Sequence, residues 1–273
     1  MAIAKEIRAS YAFVERNLNL TRRYWGWEVV WLVYSVVNAL SITFIGSAMQ
    51  SITGAAIDTS YLVLYLAVGT LVWHYLSVVF EAVSSMISWE RWEGTIEYTF
   101  MAPIERLTQM VGTCIYSIVY GMIHTLVILA VIALFFNVDL SNANLAGSVA
   151  ILLAGSLSFI GFGIMASVLP LLFTERGAQM TFVIQSILLL ISGVYYPVTA
   201  LPGWMQPLAS ISPATYVLEG MRRSLLHGAG IRELLPFIAI LILIGLICMP
   251  VGLWIFARGE RYAKRTGKLK RNG

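Results

Sequence analysis

Residues 234–257 read LLPFIAILILIGLICMPVGLWIFA, an uncharged stretch held between Arg232-Glu233 and Arg258. About 20 helical residues cross the hydrocarbon of a bilayer, so a run of this length reads as a membrane span. Working back toward the N-terminus, apolar runs of similar length cover residues 147–173, 110–136, 61–83 and 27–49. A further one begins near Ala178 and loses its simple pattern at Ser192-Gly193. Composition agrees: 59% of the 273 residues are hydrophobic and 12% charged, against about 25% charged in soluble domains. The expected fold class is an all-α membrane protein of six transmembrane helices. An N-terminal amphipathic interfacial helix precedes them, and re-entrant helices precede the last span.

Three parts are expected: an amphipathic cytoplasmic helix over 1–26, a transmembrane domain over 27–257 and a basic cytoplasmic tail over 258–273. At about 100° per residue, Ile3, Ile7, Tyr11, Val14 and Leu18 fall on one narrow arc, with Lys5, Arg8, Arg16 and Arg23 away from it. Such a helix lies between headgroups and water, and Trp25 and Trp27 mark the interface that follows. The first 25 residues lack the short apolar core of a cleavable signal peptide, so none is expected. Alternating six spans from a cytoplasmic start places 15 of the 18 Lys and Arg residues inside. Positive loops stay cytoplasmic, so both termini are expected there; Arg222, Arg223 and Arg232 are the exceptions.

Residues 194–233 are too apolar for a free outer loop, and Pro197, Pro202, Pro207 and Pro213 break them too often for one spanning helix. Irregular backbone at membrane depth is tolerated where protein or a water-filled cavity shields it. Two short helices dipping into the outer leaflet are predicted, roughly Pro202–Ala209 and Pro213–Leu226. Each would have its Pro at the helix start, and Ser212 would cap the second. A hairpin lying flat on the outer surface is the alternative. Arg222 and Arg223 would pair with Glu219, one turn away, or meet anionic groups of lipid or substrate.

Little here points to catalysis. No Gly-rich loop ending in Gly-Lys-Ser/Thr is present, so the chain cannot itself cradle nucleotide phosphates, and no cofactor is expected in it. Cys114 and Cys248 lie in apolar runs without ligand spacing, and His74, His124 and His227 lie on separate segments. Gly161-Phe162-Gly163 reads as close helix packing. Ionisable residues within spans are functional candidates by default. Glu28 and Glu81 lie near cytoplasmic ends, while His74 and His124 lie deeper and are expected to bond neighbouring helices.

The most polar interior segment is Ser84 to Gln109, SSMISWERWEGTIEYTFMAPIERLTQ. Glu93-Gly94-Thr95 makes a sharp turn into a short helix, and Ala102-Pro103 ends it, because the residue before Pro disfavours helix. A bounded helix presenting Ile96, Phe100 and Met101 amid Glu90, Glu93, Glu97 and Glu105 marks a protein-binding site. The loop Glu90-Arg91-x-x-Gly94-Thr95-Ile96-Glu97, followed by Ala102-Pro103, resembles the cytoplasmic motif of ABC-2 type permeases. These are the membrane subunits of ATP-binding-cassette exporters for drugs, lipids and cell-surface polysaccharides. Gly193-Val194-Tyr195-Tyr196-Pro197, Leu201-Pro202 and Ser212-Pro213-Ala214-Thr215-Tyr216-Val217-Leu218-Glu219-Gly220-x-Arg222 resemble the same family.

The resemblance implies a multi-pass plasma-membrane protein that is not itself an enzyme. Residues about 94–102, with Glu90, Glu93, Gly94, Thr95, Ile96, Glu97, Phe100, Met101 and Pro103 as contacts, would couple it to a separate nucleotide-binding ATPase subunit. ATP and Mg would be bound by that partner. A second copy of the chain, or a close paralogue, would complete the pathway, with the first, second and fifth spans lining it. The segment about 194–226, including Tyr195, Tyr196, Pro197, Pro202, Pro213, Tyr216, Glu219 and Arg222, would close its outer end. Other expected partners are membrane lipid and an exported substrate, with no nucleic acid. A hydrophobic drug or lipid is favoured as cargo, a lipid-linked polysaccharide or teichoic acid being the alternative. An ATP-independent carrier or channel would show deep carboxylates or an inverted repeat, and neither is visible.

Overall fold

The computed structural model describes residues 2–54, 58–102, 106–136 and 143–267. Among these the secondary structure is helical, without a strand. Helix α1 (Ala2–Arg23) is followed by the long α2 (Trp25–Thr53) and α3 (Thr59–Ser84). The Asp58 side chain accepts the Tyr61 N–H at 3.0 Å and so caps α3, which satisfies one of the orphan donors of a helix start. Two short helices, α4 (Met86–Glu93) and α5 (Ile96–Met101), lead into α6 (Arg106–Phe135). After α7 (Leu145–Ala166), α8 (Val168–Leu172) and α9 (Gly177–Ile191) comes a broken segment holding α10 (Gln206–Ile211) and α11 (Pro213–Leu226). Helix α12 (Ile231–Arg265) ends the described chain.

Among the described residues, five helical runs are long and apolar enough to cross a membrane: α2, α3, α6, the α7–α8 pair and α12. The fifth of the six expected spans differs. Helix α9 has 15 residues, which rise about 22 Å where the hydrocarbon is roughly 30 Å thick. The expected count is corrected to five long helices and one short one. Ser192-Gly193 stops α9 because Gly193 takes a left-handed φ of 70°, a conformation with little penalty for glycine.

The interior lies along α3 and α7, the most enclosed of the long helices, with α2, α6 and α12 around them. Small residues let these helices approach, since lipid offers no hydrophobic drive for helix association. A Cβ on Gly161 would stand 2.7 Å from the Cys248 Cβ, so the packing role read for Gly161-Phe162-Gly163 holds at the α7–α12 contact. Hydroxyls supply polar ties at depth: Tyr75 and Ser156 bond at 2.6 Å, and Ser158 donates to the Leu241 carbonyl at 2.6 Å.

Helix α11 has the predicted limits, with Pro213 in its first turn. The helix before it does not. Pro202–Met205 forms a turn closed by the Met205 N–H on the Pro202 carbonyl, and α10 starts only at Gln206, which places Pro207 in its first turn. Proline is tolerated there because those N–H groups lack helical partners anyway. Ser212 holds the N-cap position of α11, as expected, but its hydroxyl makes no capping bond and pairs with Ser192 at 2.7 Å instead.

The α11 helix runs along α7. Ser224 bonds Ser148 and the Asn144 carbonyl near the start of α7, a Cβ on Gly220 would meet Ile151, and one on Gly155 would meet Val217. From Asn144 to Gly155 is about 16 Å of helical rise, so the Pro213 end of α11 lies far from the start of α7. That geometry agrees with a hairpin penetrating between the spans rather than lying across their ends. Helix α12 continues past Ala257 to Arg265. Lys268, Lys270, Arg271, Pro103 and Glu105 fall outside the described residues, as do the side chains of Ile3 and Lys5.

Candidate functional site

Gly94 ends α4 with a left-handed φ of 74°, its N–H on the Arg91 carbonyl, and the Thr95 N–H on the Glu90 carbonyl. This reversal turns the chain into α5, whose six residues have two distinct sides. Ile96 and Thr99 face inward, and Ile96 is wholly enclosed in the main apolar core. Outward stand Glu97, Tyr98 and Met101, with Tyr98 79% and Met101 82% exposed. Ile96 was expected on the outer face and is instead the anchor of the helix. Its place on the outside is taken by Tyr98, which carries no signal of that role in the sequence. Phe100 is half-buried beneath the Arg106 guanidinium, 4.1 Å from its ring centroid.

Behind α5 lies Glu90, 1% exposed. Its carboxylate accepts from the Arg16 guanidinium, the Thr95 hydroxyl, the Thr99 hydroxyl at 2.8 Å and the Gln109 amide at 3.1 Å. Burying a charge is tolerable when it is both paired and hydrogen-bonded, and this carboxylate is both. Through it α1, α5 and α6 are joined at one point. Where the sequence places Glu90 among the docking residues, the structure makes it an internal strut. Arg91 extends the tie to α8 by donating to the Leu171 carbonyl at 3.1 Å, and burial lowers the pKa of its guanidinium.

Further bonds fix the two ends of α5. Arg106 donates to the Thr99 carbonyl at 2.7 Å and reaches Glu260 of α12 at 3.4 Å, where Lys264 also sits at 2.8 Å. The Tyr24 hydroxyl donates to Glu93 at 2.9 Å; that bond raises the phenol's pKa. Rings of Tyr24, Trp89 and Trp92 pack together beside it. On α1, a Cβ on Gly112 of α6 would come 2.5 Å from the Ser10 carbonyl, so α1 lies directly on α6. The apolar arc of α1 points away from the protein, with Ile7, Tyr11 and Leu18 exposed. Arg16, Thr99, Gln109, Arg106 and Glu260 were not anticipated as site residues. Only the Thr95/Thr99 pair carried a local signal, because residues four apart share a helix face.

At the opposite end, the turn after α9 seats on α3. The Gly193 and Val194 carbonyls lie within the protein and accept from Arg222 at 3.2 Å and 2.7 Å. Arg222 also stacks 3.6 Å over the Tyr65 ring. Gly69 makes room, since a Cβ there would be 2.3 Å from the Val194 carbonyl oxygen. Of the two arginines, only Arg223 pairs with Glu219, at 2.9 Å; Arg222 holds backbone instead. Tyr195 packs on the core half-buried, the Tyr196 hydroxyl donates to the Leu190 carbonyl, and the Tyr216 hydroxyl donates to that of Ser210 at 2.7 Å. Pro197 is extended and leads into a turn at Val198–Ala200, while Pro202 opens the turn before α10.

Two comparisons bear on this arrangement. The family model of the ABC-2 type transporter matches residues 10–226, from within α1 to the end of α11. ABC transporter G family member 20 of Dictyostelium discoideum is 24% identical over 174 residues, which are 63% of this chain and 23% of that protein. The chain thus spans less than a quarter of the length of that curated relative. With a match over most of its length, running through α4, α5 and the α10–α11 hairpin, the chain belongs to the ABC-2 type transporter family as a membrane-spanning permease component.

Proposed function

We propose that this chain is the membrane subunit of an ABC exporter, in which α5 is the coupling helix gripped by a separate ATPase subunit. The observation that carries the reading is the two-sidedness of α5: Tyr98, Met101 and Glu97 stand free outside while its inner side is fastened to the body of the protein. A six-residue helix is too short to hold its shape alone, so such fastening would let it act as a lever. A push on its outer face reaches α1 and α6 through Glu90, and α12 through Arg106 and Glu260. ATP and magnesium belong to the partner, whose closure supplies the push.

Two copies would form the pathway, both chain ends lying in the cytoplasm of a plasma-membrane protein. The exposed apolar arc of α1 would rest on the inner leaflet. The α10–α11 hairpin would close the outer end of the pathway, with Arg222 holding it to the end of α9. A hydrophobic drug or lipid is the cargo favoured by the apolar exposed faces of α2 and α9.

The test is to assemble the chain with its partner ATPase subunit and replace Tyr98 and Met101 together by Ala. Neither side chain supports the fold, so the protein should still assemble in the membrane while ATP hydrolysis loses at least tenfold of its stimulation by the permease. Full stimulation in the double variant would remove α5 from the interface.

A further inference from the structure

A polar seam rises through the cytoplasmic half of the bundle between α2, α3 and α6. On α6, Tyr116, Tyr120 and His124 follow at four-residue spacing and so share one face. Tyr116 and Tyr120 stack at 5.5 Å, Tyr120 meets His124 at 4.1 Å, and His124 lies parallel to His74 of α3 at 6.2 Å. Glu28, in the first turn of α2, accepts from the Tyr120 hydroxyl, and Thr21 bonds Tyr116. Glu81, two turns below His74 on α3, is exposed at the same end of the bundle as Glu28. Neither carboxylate has a cation partner among the described residues. Along the same helices the His74 Nε2, Ser77 Oγ and Thr125 Oγ1 atoms are enclosed without a hydrogen-bond partner.

These groups define a chemistry. Carboxylates at the edge of the hydrocarbon are costly without a counter-charge, and their neighbours here are half-exposed aromatic rings whose faces attract cations. The two charges sit at the cytoplasmic ends of their helices, and the rings climb about 12 Å from Tyr116 to His124. A head of positive charge at Glu28 and Glu81, with an apolar body lying against the rings and in the inner leaflet, fits every feature. We infer that this seam binds lipophilic organic cations, Glu28 and Glu81 supplying the charge and Tyr116, Tyr120, His124 and His74 the stacking faces. As a substrate site it rests on the exporter reading; as a binding site it does not.

The experiment uses the full chain in lipid nanodiscs, without an ATPase, and measures saturable binding of tetraphenylphosphonium above that of empty discs. Wild type should bind it and should not bind tetraphenylborate, an ion of the same shape and opposite charge. The E28Q/E81Q double variant should lose at least tenfold in affinity, and Glu175→Gln, in the turn before α9, should bind like wild type. If the double variant fails to elute as a single species, the phosphonium–borate pair on wild type still decides. Equal saturable binding of both ions, no saturable binding, or undiminished binding by a well-folded double variant would overturn the site. Displacement by hexadecyltrimethylammonium supports a site for cations carried on a lipid chain, and binding without displacement supports one for compact cations. Stimulation of ATP hydrolysis by the phosphonium in the assembled complex then tests the exporter reading separately. Binding without stimulation counts against that reading and leaves the site standing.

Discussion

Glu90 illustrates how one side chain can decide whether a short helix is a lever or a loose loop. Its carboxylate collects donors from α1, α5 and α6, and only as an anion can it accept from all of them. Glu90→Gln keeps the shape but turns one acceptor into an NH₂ facing other donors. Breaking a buried, bonded charge in this way costs about 3 kcal/mol. Arg16 is 30% exposed on its side chain, so water compensates in Arg16→Gln, and that loss should be nearer 1 kcal/mol. Thermal unfolding in detergent should therefore place the Glu90 variant well below the Arg16 variant; equal midpoints would mean that Glu90 is no hub. The sequence showed Glu90 as a charge beside a turn, yet not its direction. Arg16 lies 74 residues away and Gln109 19, and no local periodicity reports contacts at such separations. Ile96 misled for a related reason. In a helix of six residues, a single inward position looks the same as an outward one until the packing partner is known.

Among the elements, those bounded by strong backbone signals were legible and those bounded by tertiary contact were not. Pro213 fixed the start of α11, and Ser192-Gly193 marked where α9 stops. Helix α4 was hidden inside a mixed, charged stretch, and α10 began four residues late because a turn at Pro202 competes with helix there. The seat of the hairpin on α3 left no pattern at all, since Gly69 sits inside an ordinary apolar run. Yet Gly69 is where the element is most constrained. A methyl group at 2.3 Å from the Val194 carbonyl oxygen has to push the turn outward, away from Tyr65 and its Arg222 contact. The expected outcome for Gly69→Ala is a hairpin displaced from its seat. With Cys114 and Cys248 replaced by Ser and a single cysteine at Thr215, labelling by a membrane-impermeant thiol reagent from outside should rise several-fold over the Gly69 parent. Unchanged labelling would show that the outer segment does not depend on this seat.

At the scale of the whole molecule, the membrane class could be read from the length of the apolar runs, but which helices are enclosed could not. Apart from the polar seam between α2, α3 and α6, the spans are apolar on every side, so hydrophobicity does not distinguish a face turned to lipid from one turned to protein. The structure separates them by enclosure: α3 and α7 are interior, while α2, α6, α9 and α12 expose apolar faces. Length then tells the exposed helices apart. Helix α12, with 35 residues, outreaches the hydrocarbon and can face lipid along its full height. Helix α9, with 15 residues, is too short to do so, and a short helix against lipid thins the bilayer or oligomerises to escape the mismatch. The exposed side of α9, Val183 and Ile187 above all, is therefore the face expected to meet a second copy. Single cysteines at Ile187 and at Leu243 of α12 provide the comparison, both exposed to similar extents in one copy, 53% and 57%. Oxidative cross-linking in membranes should give a disulfide-linked dimer from Ile187→Cys and little from Leu243→Cys. The reverse pattern would make α12 the contact between copies and leave the shortness of α9 to be relieved by the bilayer alone.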